Sequence, residues 1–247
     1  MDNISDGVDE LMKNLASLFF LFLYCVIFAP PNNATTHVNV AQEKRSISQV
    51  MKDKLVNFVS HTINTLKYTA YKFGGNHFDA SKGVYVLDCS AYVDKVLESI
   101  HPDAYFDIVD TQGTDRPTSH DYYNFFKSLP EDGSSSWNAV KTVEELEAGD
   151  ILVFRYKNKK SKITGGHVMV VMDTPIGEAG TYSVRVADSA PTMHSQDTRY
   201  KQSGIGIGTL SIKVNPANGR PYAFAWREGA RWMRDVNIAM ARPIVSS

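Results

Sequence analysis

Cysteine is scarce in this chain: two in 247 residues, at Cys25 and Cys89. Cys25 lies inside an apolar run, so if that run is removed one thiol remains with no disulfide partner. Charge of one sign is lacking too. Lys and Arg number 26 against 27 Asp and Glu, a formal net charge of -1. Such balance gives no reason to expect a nucleic-acid partner. Repeats and long low-complexity tracts are absent, which excludes solenoids and fibrous arrays. His61, His77, His101 and His120 are scattered and lack the spacing of metal ligands. At 43% hydrophobic residues, the composition is that of an ordinary globular protein with room for one substantial core.

The apolar run Leu15 to Ala29 is interrupted only by Ser17. It falls short of the roughly 20 residues of a spanning helix. It suits the h-region of an export signal, with Ala29 or Ala34 as the small residue for cleavage. The residues before it are acidic (Asp2, Asp6, Asp9 and Glu10 against Lys13), whereas a start at Met12 would give a basic leader. A cleaved signal over 1–29 is expected, with an uncleaved anchor as the alternative and the membrane touched only through this segment. Export implies a periplasmic or extracellular location.

Residues 30–45 are polar and punctuated by Pro, Asn and Thr, and read as a linker before a domain over 46–247. Val50, Leu55, Phe58, Val59, Ile63 and Leu66 recur at helical spacing. Asn76 to Gly83 reads as a loop, and Cys89 to Ile100 as a helix ended by Pro102. Ser119 to Leu129 reads as a short helix capped by Ser119, within a longer middle segment. Strands are expected at Ile151 to Tyr156, His167 to Met172, Tyr182 to Ala187, Ile205 to Val214 and Tyr222 to Trp226. Lys157 to Lys162 reads as a solvated hairpin tip. Gly204-Ile205-Gly206-Ile207-Gly208 lacks nucleotide-loop spacing and reads as a glycine-rich strand. Trp226 and Trp232 read as core or as a groove wall. Helices first and strands after predict an α+β domain on an antiparallel sheet.

Cys89 falls in the first turn of its helix, where free amides and the dipole favour a thiolate and can receive an oxyanion. His167 opens an apolar strand behind Gly165-Gly166. An imidazole there can take the thiol proton and later protonate a leaving amine. Its second nitrogen needs an orienting acceptor. Asp188, at the end of a neighbouring strand, is the expected orienter, with His194 as the alternative.

Tyr71-x-x-Gly74-Gly75, Asp88-Cys89-Ser90, Gly149-Asp150 before an apolar strand, and Gly166-His167-Val168 resemble the NlpC-type cell-wall cysteine peptidases. Arg116-Pro117-Thr118-Ser119 resembles that family's segment between the cysteine and the Gly-Asp pair. The likeness runs from about Ser46 to Ala190. It implies a papain-like α+β fold, N-terminal helices packed on an antiparallel sheet, and a Cys-His-Asp-like site without metal or organic cofactor. Cys89 would be nucleophile, His167 base and Asp188 the orienting residue. Tyr71 would line the oxyanion site or the substrate pocket. Asp88 and Ser90 would recognise the free amine of a peptidoglycan stem peptide. Ala91 stands where the family commonly has glycine, and Asp188 where many members have histidine. Two rivals accompany this expectation: a hydrolase of another amide or acyl ester, including one of a host cell, and an inactive wall- or partner-binding module.

Overall fold

The computed structural model describes residues 33–157, 165–178 and 180–245. The apolar segment with Cys25 and the lysine-rich stretch after Lys157 lie outside them. Two compact units divide the chain, Met1–Ser46 and Ile47–Ser247.

Helix α1, Asn33–Asn64, begins well before the expected start at Ser46. Residues 33–45 are therefore helical. Both prolines of that stretch, Pro30 and Pro31, precede the helix, while Ala41-Gln42-Glu43-Lys44-Arg45 are strong helix formers. Beyond Ile47, α1 buries Leu55, Val59 and Thr62, one stripe at helical spacing. Val50, expected on that stripe, is 49% exposed.

Three short strands follow: β1 (Tyr68–Tyr71), β2 (Asn76–Asp79) and β3 (Val84–Leu87). They form a small sheet in which β3 pairs parallel with β1 and antiparallel with β2. The expected loop at Asn76 to Gly83 is thus half strand. Its polar residues gave no alternation, and the pairing comes from β3 instead. Helix α2, Cys89–Ile100, buries Ala91, Tyr92, Val93, Val96 and Leu97. Pro102 ends α2 and also starts α3, Pro102–Gln112, where its missing N–H costs nothing at the first helical position. Helix α4, Ser119–Ser128, is capped by Thr118 in a reciprocal box with Asp121, one residue earlier than expected.

The large sheet contains β4 (Trp137–Val140), β5 (Ile151–Tyr156), β6 (Gly166–Val171), β7 (Ile176–Glu178), β8 (Thr181–Ala190), β9 (Gly204–Val214), β10 (Pro221–Ala225) and β11 (Val236–Pro243). Its order is β10-β9-β8-β6-β5-β11-β4, with β7 on β8, and every pairing is antiparallel. Successive side chains alternate between faces. Ile151, Val153, Val168 and Val170 join the helices in one core cluster, while Leu152, Phe154, Met169 and Val171 enter a second one. This two-sided burial explains why β5 and β6 read as continuous apolar runs. Asp150 accepts from Arg242 Nε at 2.8 Å and Nη2 at 2.9 Å, clasping the start of β5 to β11. The fold is α+β, helices against a mainly antiparallel sheet.

His101, between α2 and α3, is 7% exposed, and burial lowers its imidazolium from 6.5 to about 4. A depressed histidine contributes stability above its unfolded value that is lost as pH falls through the folded one. Melting temperature should therefore drop between about pH 6.5 and 4, and His101→Gln should flatten that part of the curve. An unchanged slope in the variant would assign the acid sensitivity elsewhere.

Candidate active site

Asp88 organises the turn that carries Cys89. Its extended backbone (φ -90, ψ -178) makes it the N-cap of α2, and its Oδ1 accepts from the Ala91 amide at 2.9 Å and from Ser90 Oγ at 3.1 Å. Cys89 is consequently the first helical residue, and it lines a cavity of ≈ 190 Å³. Ala91 N is taken by Asp88 Oδ1 and Tyr92 N by Asp88 O, which leaves the amides of Cys89 and Ser90, two residues that both line the cavity. Cys89 is a free thiol, 7% exposed.

His167 reaches this sulfur from β6. Its parity puts it on the sheet face of Met169 and Val171, and Asp188 shares that face with Val184 and Val186 on the adjacent β8. The register Val170↔Ala187 sets Asp188 across from Met169, one diagonal step from His167. Long side chains bridge such diagonals. His167 Nε2 donates to Asp188 Oδ2 at 2.5 Å, and the ring interacts with Cys89. With Nε2 committed, Nδ1 is the nitrogen left for the sulfur. Burial opposes the imidazolium, but Cys89 and Asp188 outweigh it and raise His167 from 6.5 to about 10. Cys89, His167 and Asp188 therefore stand in line, thiol to imidazole to carboxylate.

Asp188 is 0% exposed. Burial would keep it protonated, yet His194, Arg199 and the His167 hydrogen bond hold it well below the ordinary carboxylate value. His194 Nε2 donates to the same Oδ2 at 3.0 Å, while Arg199 Nη2 donates to Oδ1 at 2.8 Å. The two candidates for the orienting position thus occupy different ranks. Asp188 contacts His167, and His194 contacts Asp188 from behind. Trp226 proves to be a wall of this cluster, edge-on to His167 at 5.2 Å and stacked on His194 at 5.5 Å. Trp232 instead lies under the Lys213 ammonium.

The remaining expected site residues also converge here. Tyr71, at the end of β1, lines the cavity. Burial, with Cys89 and Asp88 nearby, pushes its hydroxyl up to about 12, so it stays a donor. Ser90 is buried and spends its hydroxyl on Asp88. Asp88 is more heavily engaged than expected. Its Oδ2 accepts from Gly74 N at 2.9 Å and from Arg116 Nη2 at 2.6 Å, so both oxygens already hold two donors each. That leaves an incoming ammonium no open lone pair without displacing Arg116. Arg116 also donates to the Gly74 and Gly75 carbonyls, pinning the loop that carries Phe73 to the cavity rim. A side chain at Gly166 would meet the Phe154 carbonyl at 2.3 Å and Ser119 Oγ at 3.0 Å, so glycine keeps the cavity wall open.

Comparison with known proteins adds one relative. No family model matches the chain, and no solved structure matches it. The chain is 26% identical over 168 residues to an uncharacterized protein, R653, of Acanthamoeba polyphaga mimivirus, covering 59% of this chain and 71% of that one. Among the described residues no helix is long and apolar enough to cross a membrane.

Arg199 is the site residue that sequence reasoning missed. Nothing local marks it, since it lies on the irregular connection between β8 and β9. The alternating glycines of β9 were the available signal, because a strand bare on one face invites another segment to lie on it.

Proposed function

We propose that the protein is a papain-like cysteine hydrolase of amide bonds, with peptidoglycan stem peptides as its substrates. The observation that carries the chemistry is the single His167 ring joined to Cys89 on one side and to buried Asp188 on the other. His167 already holds the proton drawn from Cys89 when Sγ attacks the substrate carbonyl carbon. The tetrahedral oxyanion is met by the Cys89 amide, with the Tyr71 hydroxyl as a second donor on the cavity wall. Collapse breaks the C–N bond, and His167 returns the proton to the leaving amine. A water then gives its proton to His167 and its oxygen to the thioester, which regenerates the thiol and releases the acid.

Stem peptides as substrate rest on the motif resemblance. A second reading, another amide or acyl ester, is favoured by the saturation of Asp88, which weakens amine recognition at that carboxylate. An inactive binding module of the same fold is the remaining rival. Mass spectrometry of purified muropeptides incubated with the protein separates the three. Cleaved stems support the first reading. Intact stems with turnover of small amides or thioesters support the second, and no turnover of either supports the third. Export through the Leu15 to Ala29 segment belongs to the same proposal, and N-terminal sequencing of the secreted protein checks it.

A further inference from the structure

The connection from β8 to β9 lies flat on β9, and two glycines make that approach possible. A Cβ on Gly206 would come within 2.5 Å of Arg199 Cγ and Nε, and one on Gly208 within 2.7 Å of His194 Cβ and 2.8 Å of Asp197 Oδ2. The connection is pinned by Ser195, which exchanges backbone bonds with Thr209 at 2.8 and 3.0 Å, and by Thr198 N to Ile207 O at 3.0 Å. Gln196, Tyr200 and Lys201 adopt positive φ of 49°, 46° and 72°, a costly backbone for side-chain-bearing residues. Such strain persists only where the surroundings over-determine it.

What the strained connection delivers is a cation in the core. Arg199 is 4% exposed, and its guanidinium is fully used: Nε on Asp197 at 2.9 Å, Nη1 on the Gly204 carbonyl at 3.1 Å, Nη2 on Asp188 Oδ1 at 2.8 Å. His194 offers Nδ1 to the Trp226 carbonyl and Nε2 to Asp188 Oδ2, both at 3.0 Å. Burying these groups is costly, and a well-packed apolar set would serve stability as well or better. The division of labour at Asp188 gives them another purpose. One carboxylate oxygen is clamped by Arg199, and the other is shared between His194 and His167.

We propose that Arg199 and His194 are positioning residues of the hydrolase site, which act through Asp188 by fixing which carboxylate oxygen faces His167 and along what line. The bare face of β9 at Gly206 and Gly208 is their seat. Without Arg199 the carboxylate is free to rotate or take up a proton, and His167 loses its hold on the Cys89 proton. This inference rests on the hydrolase reading and adds two residues and a strand to it.

Iodoacetamide alkylation of the full chain at pH 6, read by mass spectrometry on the Cys89 peptide, tests both readings separately. Wild-type Cys89 should react roughly tenfold faster when folded than in urea, as an activated thiol does. Arg199→Met and Gly206→Ala, the latter displacing Arg199 while keeping every charge, should each slow the folded reaction about tenfold, and Arg199→Lys should recover most of it, since loss of a supporting group lowers proton-transfer efficiency in this range or beyond. A folded wild type no faster than its unfolded chain would remove the hydrolase reading. A reactive wild type matched by folded Arg199→Met and Gly206→Ala would overturn the positioning role alone. Should Arg199→Met not fold, Gly206→Ala and the partial loss in Arg199→Lys decide.

Discussion

Cys89→Ala is expected to abolish hydrolysis, and His167→Gln to come close to it, with folding intact in the first case. Cys89 is the first residue of α2, and its helix is capped by the Asp88 side chain and not by the thiol. Alanine is the better helix former there, and the lost sulfur borders an existing cavity, so little packing is given up. The melting temperature should move by only a few degrees. Among the described residues no other nucleophile stands in line with His167, so the proposed hydrolysis should fall by roughly a millionfold, the scale seen when one member of such a unit is removed. Gln at 167 keeps an N–H for Asp188 but cannot shuttle a proton. Combining both substitutions should cost no more than either, because the two residues act in one step. Release of cleaved stem peptide, followed beside far-UV melting curves, checks this. A folded Cys89→Ala protein retaining more than about a hundredth of wild-type turnover would end the proposed mechanism.

The pH profile belongs to the same pair. His167, raised to about 10 by its neighbours, keeps its proton through neutrality. Its stabilising share is fully present below the ordinary 6.5 and lost as pH rises through about 10. Activity and alkylation should then report the thiol and imidazole together and not either group singly.

Why these residues were legible and others were not follows from where their signals lie. Cys89 and His167 are marked by what immediately flanks them, a capping aspartate and a glycine pair at the mouth of an apolar strand. The strands β5, β6, β8 and β9 announce themselves by burial patterns that any single strand carries alone. Asp188 needed one further step, that antiparallel neighbours bring a strand's later residues beside its partner's earlier ones. The small β1-β3-β2 sheet and β4 were missed because four-residue strands gain their identity only from partners, and β11 because its burial does not alternate cleanly along the strand. Helix α3 was hidden by Pro102, a breaker for the helix before it and a starter for the one after. Arg199 was hidden more deeply: its meaning depends on a connection folding back over a glycine face. The saturation of Asp88 likewise depends on Arg116, which arrives from the segment before α4, 28 residues along the chain.

Asp188 should show the largest stability effect among the site residues, and the form of the substitution decides what is lost. The side chain is wholly buried and holds three donors: His167 at 2.5 Å, Arg199 at 2.8 Å and His194 at 3.0 Å. Asp188→Ala leaves the Arg199 guanidinium with Asp197 as its remaining carboxylate and leaves two histidine N–H groups unmet. Breaking one side of a buried ion pair costs about 3–5 kcal/mol. For a domain of this size that corresponds to a fall of roughly 10 °C in melting temperature. Asp188→Asn keeps the shape and one oxygen acceptor while removing the charge. Its melting temperature should fall less, and its activity should drop by roughly a hundred- to ten-thousandfold through misalignment and loss of the imidazolium's counter-charge. Acid adds an independent reading. Because the folded carboxyl lies well below its ordinary 3.8, its stabilisation is present above that value and lost as pH falls through the folded one. Wild-type stability should steepen downward below about pH 4, beneath the window assigned to His101, and Asp188→Asn should lack that limb. An Asp188→Ala protein that melts within about 2 °C of wild type would mean that the cluster relaxes around the missing carboxylate. The orienting role would then have to be carried by another acceptor for His167.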